Sequence, residues 1–466
     1  MRILLLSLVI SVAYSDAETT KPELTTITKN KSATTENPTT VIWTNETTNT
    51  MTTPGVWYSG PRILYLKDLS VENGMNLKDV EPGSHIYLSS NDNVELLTNI
   101  SISSGASNLT LDNLYDLDEN GLPRSFTINQ GGLNIQFSNK NLESKNLTGF
   151  LYITTREQAK DPTFFVYVIK TKQFIDILDI NGTFMILNTQ LLNDPTEDSD
   201  KPLKTSLVSK LEQDPQSTVS MHSGTPFGTD NGEKTRFFEN PLSLNNSKKF
   251  FDYIQPLQIP FDYWYFKVSG NIHITIENKY QRSQDYTTTK IETTGIVINN
   301  DRFFRHNLNF LIDPTRERTT GAVVSSHPSS EAFLNFIFSS DNGASYTTSF
   351  NNESIITDAI LTTFLPATKL VISSTSRTPG KFTCQYFGFS GELLPTTTTR
   401  RRRTTAASVS TVSTATHATL YTTSENIVRT TTMTTTAKPV ITTTKSAAKV
   451  VNYLFFIFIG HVLILQ

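Results

Sequence analysis

Cysteine is almost missing from this chain of 466 residues: Cys384 is the only one. A lone thiol excludes an intrachain disulfide framework, so the folded parts hold by burial alone or bridge to another chain through Cys384. Its setting, FTCQYFGF, alternates like a strand and favours a buried thiol acting as a small hydrophobe. Histidine is scarce too. The seven (His85, His222, His273, His306, His327, His417 and His461) show no HExxH or paired metal spacing. His273 lies in the alternating run NIHITIE, where a structural role is the plainer reading. There is no GxSxG elbow and no glycine-rich phosphate cradle, Gly131-Gly132 being a turn between strands. An excess of one charge is also missing: 40 Lys and Arg stand against 43 Asp and Glu, a net charge of −3, which gives no field to attract nucleic acid. Together these absences argue against an enzyme.

Two apolar runs are present, one at each end. MRILLLSLVISVAYS has the order of a secretory signal peptide: Arg2, an apolar stretch from Ile3 to Val12, then small Ala13 and Ser15 before a cut at Asp16. The other end, KSAAKVVNYLFFIFIGHVLILQ, is apolar from Tyr453 to Leu465 apart from Gly460 and His461. A spanning helix needs about 20 apolar residues, and this run is shorter and lacks a basic flank. Small Ser446, Ala447 and Ala448 before it fit a GPI-attachment signal, with Ser446 as the attachment site and 447–466 removed. The spacer 449–452 is shorter than the usual ~8–12 polar residues. In a secreted chain, eight sequons become glycan sites: Asn30, Asn45, Asn99, Asn108, Asn146, Asn181, Asn245 and Asn352.

Two tracts, 16–55 and 395–446, are rich in Thr and poor in apolar residues. Neither can bury enough surface to offset the entropy of ordering, and the second reads as a mucin-like, O-glycosylated stalk. Within it, Arg400, Arg401, Arg402 and Arg403 form a basic run, read either as a solvated cluster contacting anionic glycans or phospholipid or as a proprotein-convertase site cut at Arg403. Between the tracts, short β-branched or aromatic runs such as HIYLSS, LNIQF, FFVYVI, YWYFKV and KLVIS alternate with turn signals such as EPGS and NQGG. The pattern predicts an all-β protein with two antiparallel sandwiches, 56–192 and 219–394, joined by a linker over 193–218. Ser206–Gln213 (SLVSKLEQ) is the best helix candidate.

One stretch carries a family resemblance. In 109–154, Tyr115-Asp116 with Gly121, then Leu133-Asn134-Ile135-Gln136-Phe137-Ser138, then Gly149-Phe150-Leu151-Tyr152 resemble the second half of a CUB domain, and the whole is similar to the nematode CUB-like family. The resemblance implies a jelly-roll-like sandwich in a secreted or surface glycoprotein. It also implies Ca²⁺ at acidic positions, of which Asp116 matches the first while Asn139 replaces the second. One carboxylate and one amide are a weak start for a hard ion that takes six to eight oxygens. Otherwise no cofactor is expected, and Asp116 and Asp118 in DLDENG read equally as turn residues.

FDYWYF (261–266) places Trp264 on one strand face and Tyr263 and Tyr265 on the other. One face is core. The second is either an exposed aromatic platform, with Tyr263, Trp264 and Tyr265 as the ligand candidates, or packing between two sheets. The sequence therefore predicts an extracellular, GPI-anchored glycoprotein for surface binding or recognition, host defence being one setting. Its partner would be an extracellular protein or glycan, with the membrane reached through a lipid anchor and no nucleic acid involved. The alternatives are a mucin-like coat component without a specific ligand and, least supported, a glycan-processing enzyme with facing carboxylates.

Overall fold

The computed structural model describes residues 60–391, apart from 120, 192–201, 228–234, 245–246, 282–284, 300–305, 312–317, 329–331, 352–355, 364–366 and 377–379, together with strands Leu24–Ile27, Leu420–Tyr421 and Thr431–Thr434. Within these the protein is all-β, as the alternating runs predict, and the two α-helices, Val94–Leu97 and Arg156–Lys160, span about a turn each. Most pairings are antiparallel; Phe164–Ile169 on Gln173–Asn188, Leu24–Ile27 on the same strand, and Asp285–Thr287 on His306–Asn309 are parallel.

The N-terminal unit is a sandwich of two four-stranded sheets. In His85–Ser89 and Phe150–Ile153, residues Ile86, Leu88, Leu151 and Ile153 point inward. They meet Ile100, Ile102, Leu133 and Ile135 from the opposing sheet in one buried cluster. Alternation sends Phe150 and Tyr152 to the other side, where they pack on Val166, Val168, Met185, Leu187 and Tyr265 of a second, larger sheet. Sheet on sheet on sheet, the middle layer is apolar on both faces.

That larger central sheet is built around two long strands, Gln173–Asn188 and Tyr263–Glu277, paired along almost their whole length. Tyr263–Glu277 also pairs with Ser206–Gln213 at one end and Thr218–Ser223 at the other. Side chains from these strands, from Arg236–Asn240 and from Leu257–Ile259 converge on one cluster including Trp264, Phe266, Phe184, Ile274 and Val208, so the sheet folds over its own apolar face. The expected linker thus carries a strand of the sheet, and 173–188 is paired with 263–277 rather than belonging to a separate sandwich. Gly270 sits opposite a register shift between Ile177 and Ile180 in the pairing of these two strands. Its φ is 100°, and a Cβ there would lie 2.4 Å from the Ser217 Oγ, which accepts the Asn271 N–H at 2.7 Å.

The expected helix Ser206–Gln213 is a strand, and a bulge explains the misleading period. Pairing slips between Val208 and Lys210, so Val208 and Leu211, three apart, both reach the same core. One inserted residue imitates helical spacing.

The C-terminal sandwich packs the sheet containing Thr293–Asn299 and Gly380–Ser390 against that containing Leu334–Ser339 and Lys369–Ser374. Cys384 lies fully buried in this core beside Phe382 and Tyr386, and burial raises its thiol far above the ordinary value. It therefore behaves as a small hydrophobe. The Gln385 side chain, facing the opposite way, bridges to the central sheet: its amide donates to the Glu239 carbonyl at 2.8 Å and its oxygen accepts the Glu239 N–H at 2.9 Å.

Candidate binding cleft on the uncovered face of the central sheet

Along Tyr263–Glu277 the even residues other than Gly270 turn toward the apolar cluster: Trp264, Phe266, Val268, Ile272, Ile274 and Ile276 are buried. The odd residues change character part-way. Tyr263 and Tyr265 are covered by the N-terminal sandwich, whereas Lys267, Ser269 and His273 are exposed.

The aromatic platform is therefore not an exposed surface. Trp264 is fully buried, its indole N–H donating to the Ser206 hydroxyl at 3.1 Å. Tyr265 is buried and stacked on His222, with ring centroids 4.8 Å apart, and half-buried Tyr263 packs near Phe150. The face assignment from alternation holds; covering by another layer turns both faces into core.

Where the cover ends, the sheet opens into a cleft of about 250 Å³ lined by Thr218, Ser220, His222, Arg236, Glu239, Asn240, Lys248 and Lys267, among others. Its floor follows the strand register. Ser220 lies between Glu239 on one neighbour and Lys267 on the other, and His222 between Arg236 and Tyr265. Regular alternation would put Arg236 and Glu239 on opposite faces. A bulge at Phe237 removes that difference: Phe237 and Phe238 both enter the core, while Arg236 and Glu239 share the cleft and pair at 3.1 Å. The Glu239 carboxylate also accepts the Ser243 N–H at 2.8 Å. His222 is buried in the floor with its Nε2 2.9 Å from the Ser220 Oγ. Lys267 and Lys248 are exposed and have no carboxylate partner among the described residues. Among the described residues the cleft thus holds three permanent cations against one carboxylate, which already has its own partner.

None of the cleft cations was singled out in the sequence. The available signal was the switch in YWYFKVSGNIHITIE from aromatic to Lys, Ser, Asn and His at odd positions. Arg236 and Lys248 join Lys267 only through topology.

Other predicted residues are dispersed. Asp116 is exposed beside Lys170, whose ammonium lies over the Tyr115 ring at 3.1 Å. Burial lowers the Lys170 value to about 8, while Asp116 acts in the opposite direction. The Asp118 Oδ1 accepts the Leu122 N–H at 2.8 Å, closing the turn at Gly121. Among the described residues no group of three or more His, Cys, Asp or Glu could hold a metal. Asn108, Asn146 and Asn181 are exposed. Asn99 is partly buried, with its amide donating to the Glu95 carbonyl at 2.8 Å. His273 pairs with Asp176 across strands at 2.6 Å. Asn30, Asn45, Asn245, Asn352, Arg403 and Ser446 lie outside the described residues.

The model of the family described as Transmembrane glycoprotein matches residues 81–461, most of the chain. The chain belongs to that family. Membership overturns the resemblance to the nematode CUB-like family. The residues behind that resemblance do ordinary work in this fold: Leu133–Phe137 and Phe150–Ile153 are sandwich strands, and Gly121 takes φ 73° in a turn. The family supports a surface glycoprotein at the membrane. Its match covers the cleft strands and runs into the apolar end of the chain. No curated protein matches. Among the described residues, no helix is long and apolar enough to cross a membrane.

Proposed function

We propose that this surface glycoprotein is a non-enzymatic recognition protein, held on the extracellular side by a lipid anchor. Its contact surface would be the open half of the central sheet. The observation that carries the reading is the polar, partly unpaired cleft where the N-terminal sandwich stops covering Tyr263–Glu277. Polar groups converging in a concavity can fix the orientation of a bound ligand. The Thr-rich tract 395–446 would serve as spacer, and Ser446 as the point of lipid attachment.

Two measurements test the two halves. Full-length protein on animal cells is treated with a phosphatidylinositol-specific phospholipase; release into the medium supports the lipid anchor, and retention after treatment rejects it. Separately, the secreted ectodomain is screened on an array of neutral and acidic oligosaccharides. Binding that changes when Lys267 is replaced supports recognition through the open face, and binding indifferent to that change rejects it.

A further inference from the structure

We infer that the cleft between Thr218–Ser223, Arg236–Asn240 and Lys267 takes an acidic saccharide, one sugar ring bearing a carboxylate or sulfate. The inference rests on the recognition reading above and names its ligand class.

Charge decides the sign of the ligand. Arg236, Lys248 and Lys267 line the cleft, and among the described lining residues the only carboxylate is Glu239. Glu239 is engaged by Arg236 at 3.1 Å and by the Ser243 N–H at 2.8 Å. The two lysines are exposed with no carboxylate partner among the described residues, so an incoming anion displaces no existing ion pair to reach them. A concave surface carrying one sign of charge concentrates ions of the other.

Size and lining decide the class. At about 250 Å³ the space is smaller than the ~300–1,000 Å³ of a pocket enclosing a drug-sized ligand. It suits a single ring with one charged substituent rather than a folded partner. Thr218 and Ser220 add hydroxyl groups along one strand face, partners for ring hydroxyls. Carboxylated and sulfated sugars present the same anionic chemistry to Lys248 and Lys267, and the assay separates them. The exposed sequon Asn181 is paired with Ser269 beside the cleft strand and on the Lys267 face, so an attached glycan would emerge next to the opening.

The experiment titrates the secreted, glycosylated ectodomain with three probes of equal length: a sialylated oligosaccharide, a sulfated heparan fragment and a neutral oligosaccharide. It compares the parent protein with Lys267→Ala, Lys248→Ala and the remote control Lys145→Ala, checking each for an unchanged melting temperature. Loss of one charge-assisted contact should weaken acidic-probe binding about tenfold in each cleft variant. Lys145→Ala should leave it unchanged, and raising the salt should weaken it further. Preference for one acidic probe identifies the carboxylated or the sulfated source. Neutral-probe binding of equal strength, still sensitive to Lys267→Ala, overturns the acidic class while leaving recognition intact. Acidic binding that falls equally in Lys145→Ala is non-specific attraction and overturns the proposal. So does no binding by any probe, in which case recognition through this face falls with it if the wider array is also blank.

Discussion

The two halves of one face of the long strand Tyr263–Glu277 differ in what covers them. At Tyr263 and Tyr265 the odd side of the long central strand is covered by Phe150 and Tyr152 of the N-terminal sandwich, Tyr265 fully and Tyr263 in part. At Lys267 and Ser269, a few ångströms further on, it is exposed and edged with cations. Alternation is the same in both halves. What differs is the covering layer, and the side chains match it: aromatics where the N-terminal sandwich lies above, Lys and Ser beyond it. The proposed binding surface is a core face that the N-terminal sandwich does not reach.

The largest effects should come from the covered half. Trp264→Ala opens a cavity in the central core and strands the Ser206 hydroxyl, so denaturant unfolding should show a loss of about 3–5 kcal/mol. Tyr265→Ala, on the other face of the same segment, should also cost several kcal/mol; a loss as small as that of a surface residue would mean that the sandwich does not seal this end. A smaller effect is expected at the cleft wall. Gln385→Ala leaves the Glu239 N–H and carbonyl without their partner and should cost about 1–3 kcal/mol, read by the same unfolding curves.

The seam between sandwich and sheet should be visible as a pH dependence. Lys204 is buried there, 3.4 Å from Asp262 and near the rings of Tyr65 and Phe150. Burial lowers its ammonium below the ordinary 10.5, although Asp262 acts the other way. Between the lowered value and 10.5 the unfolded chain holds more protons than the folded one, so stability from this group rises with pH there. Tyr65 is raised, by burial first and then by Asp262, so above its ordinary 10.0 it makes stability fall. Lys204→Met should flatten the rise below pH 10, checked by melting temperature against pH; an unchanged slope would place the charge in solvent. The smallest effect belongs to the open half: Lys267→Ala should change stability by no more than about 0.5 kcal/mol.

This contrast also marks how far the sequence could be read. The β class was legible because alternation is local, and so was the division of 261–266 between two faces. Whether the second face was platform or core was not, since the cover comes from Phe150 and Tyr152, more than a hundred positions away. Ser206–Gln213 misled for a local reason, its bulge giving Val208 and Leu211 helical spacing. The cleft was hidden for both reasons together. Arg236 and Glu239 share a face only through the bulge at Phe237, and Lys267 meets them only through sheet order.

The most direct measurement is lysine acylation of the native ectodomain under limiting reagent, read peptide by peptide with and without the acidic oligosaccharide. The account predicts fast labelling at Lys248 and Lys267, slow labelling at Lys204, and protection of the first two alone when the oligosaccharide is bound. Labelling of Lys204 as fast as Lys267, or an oligosaccharide that leaves Lys248 and Lys267 as reactive as before, would contradict it.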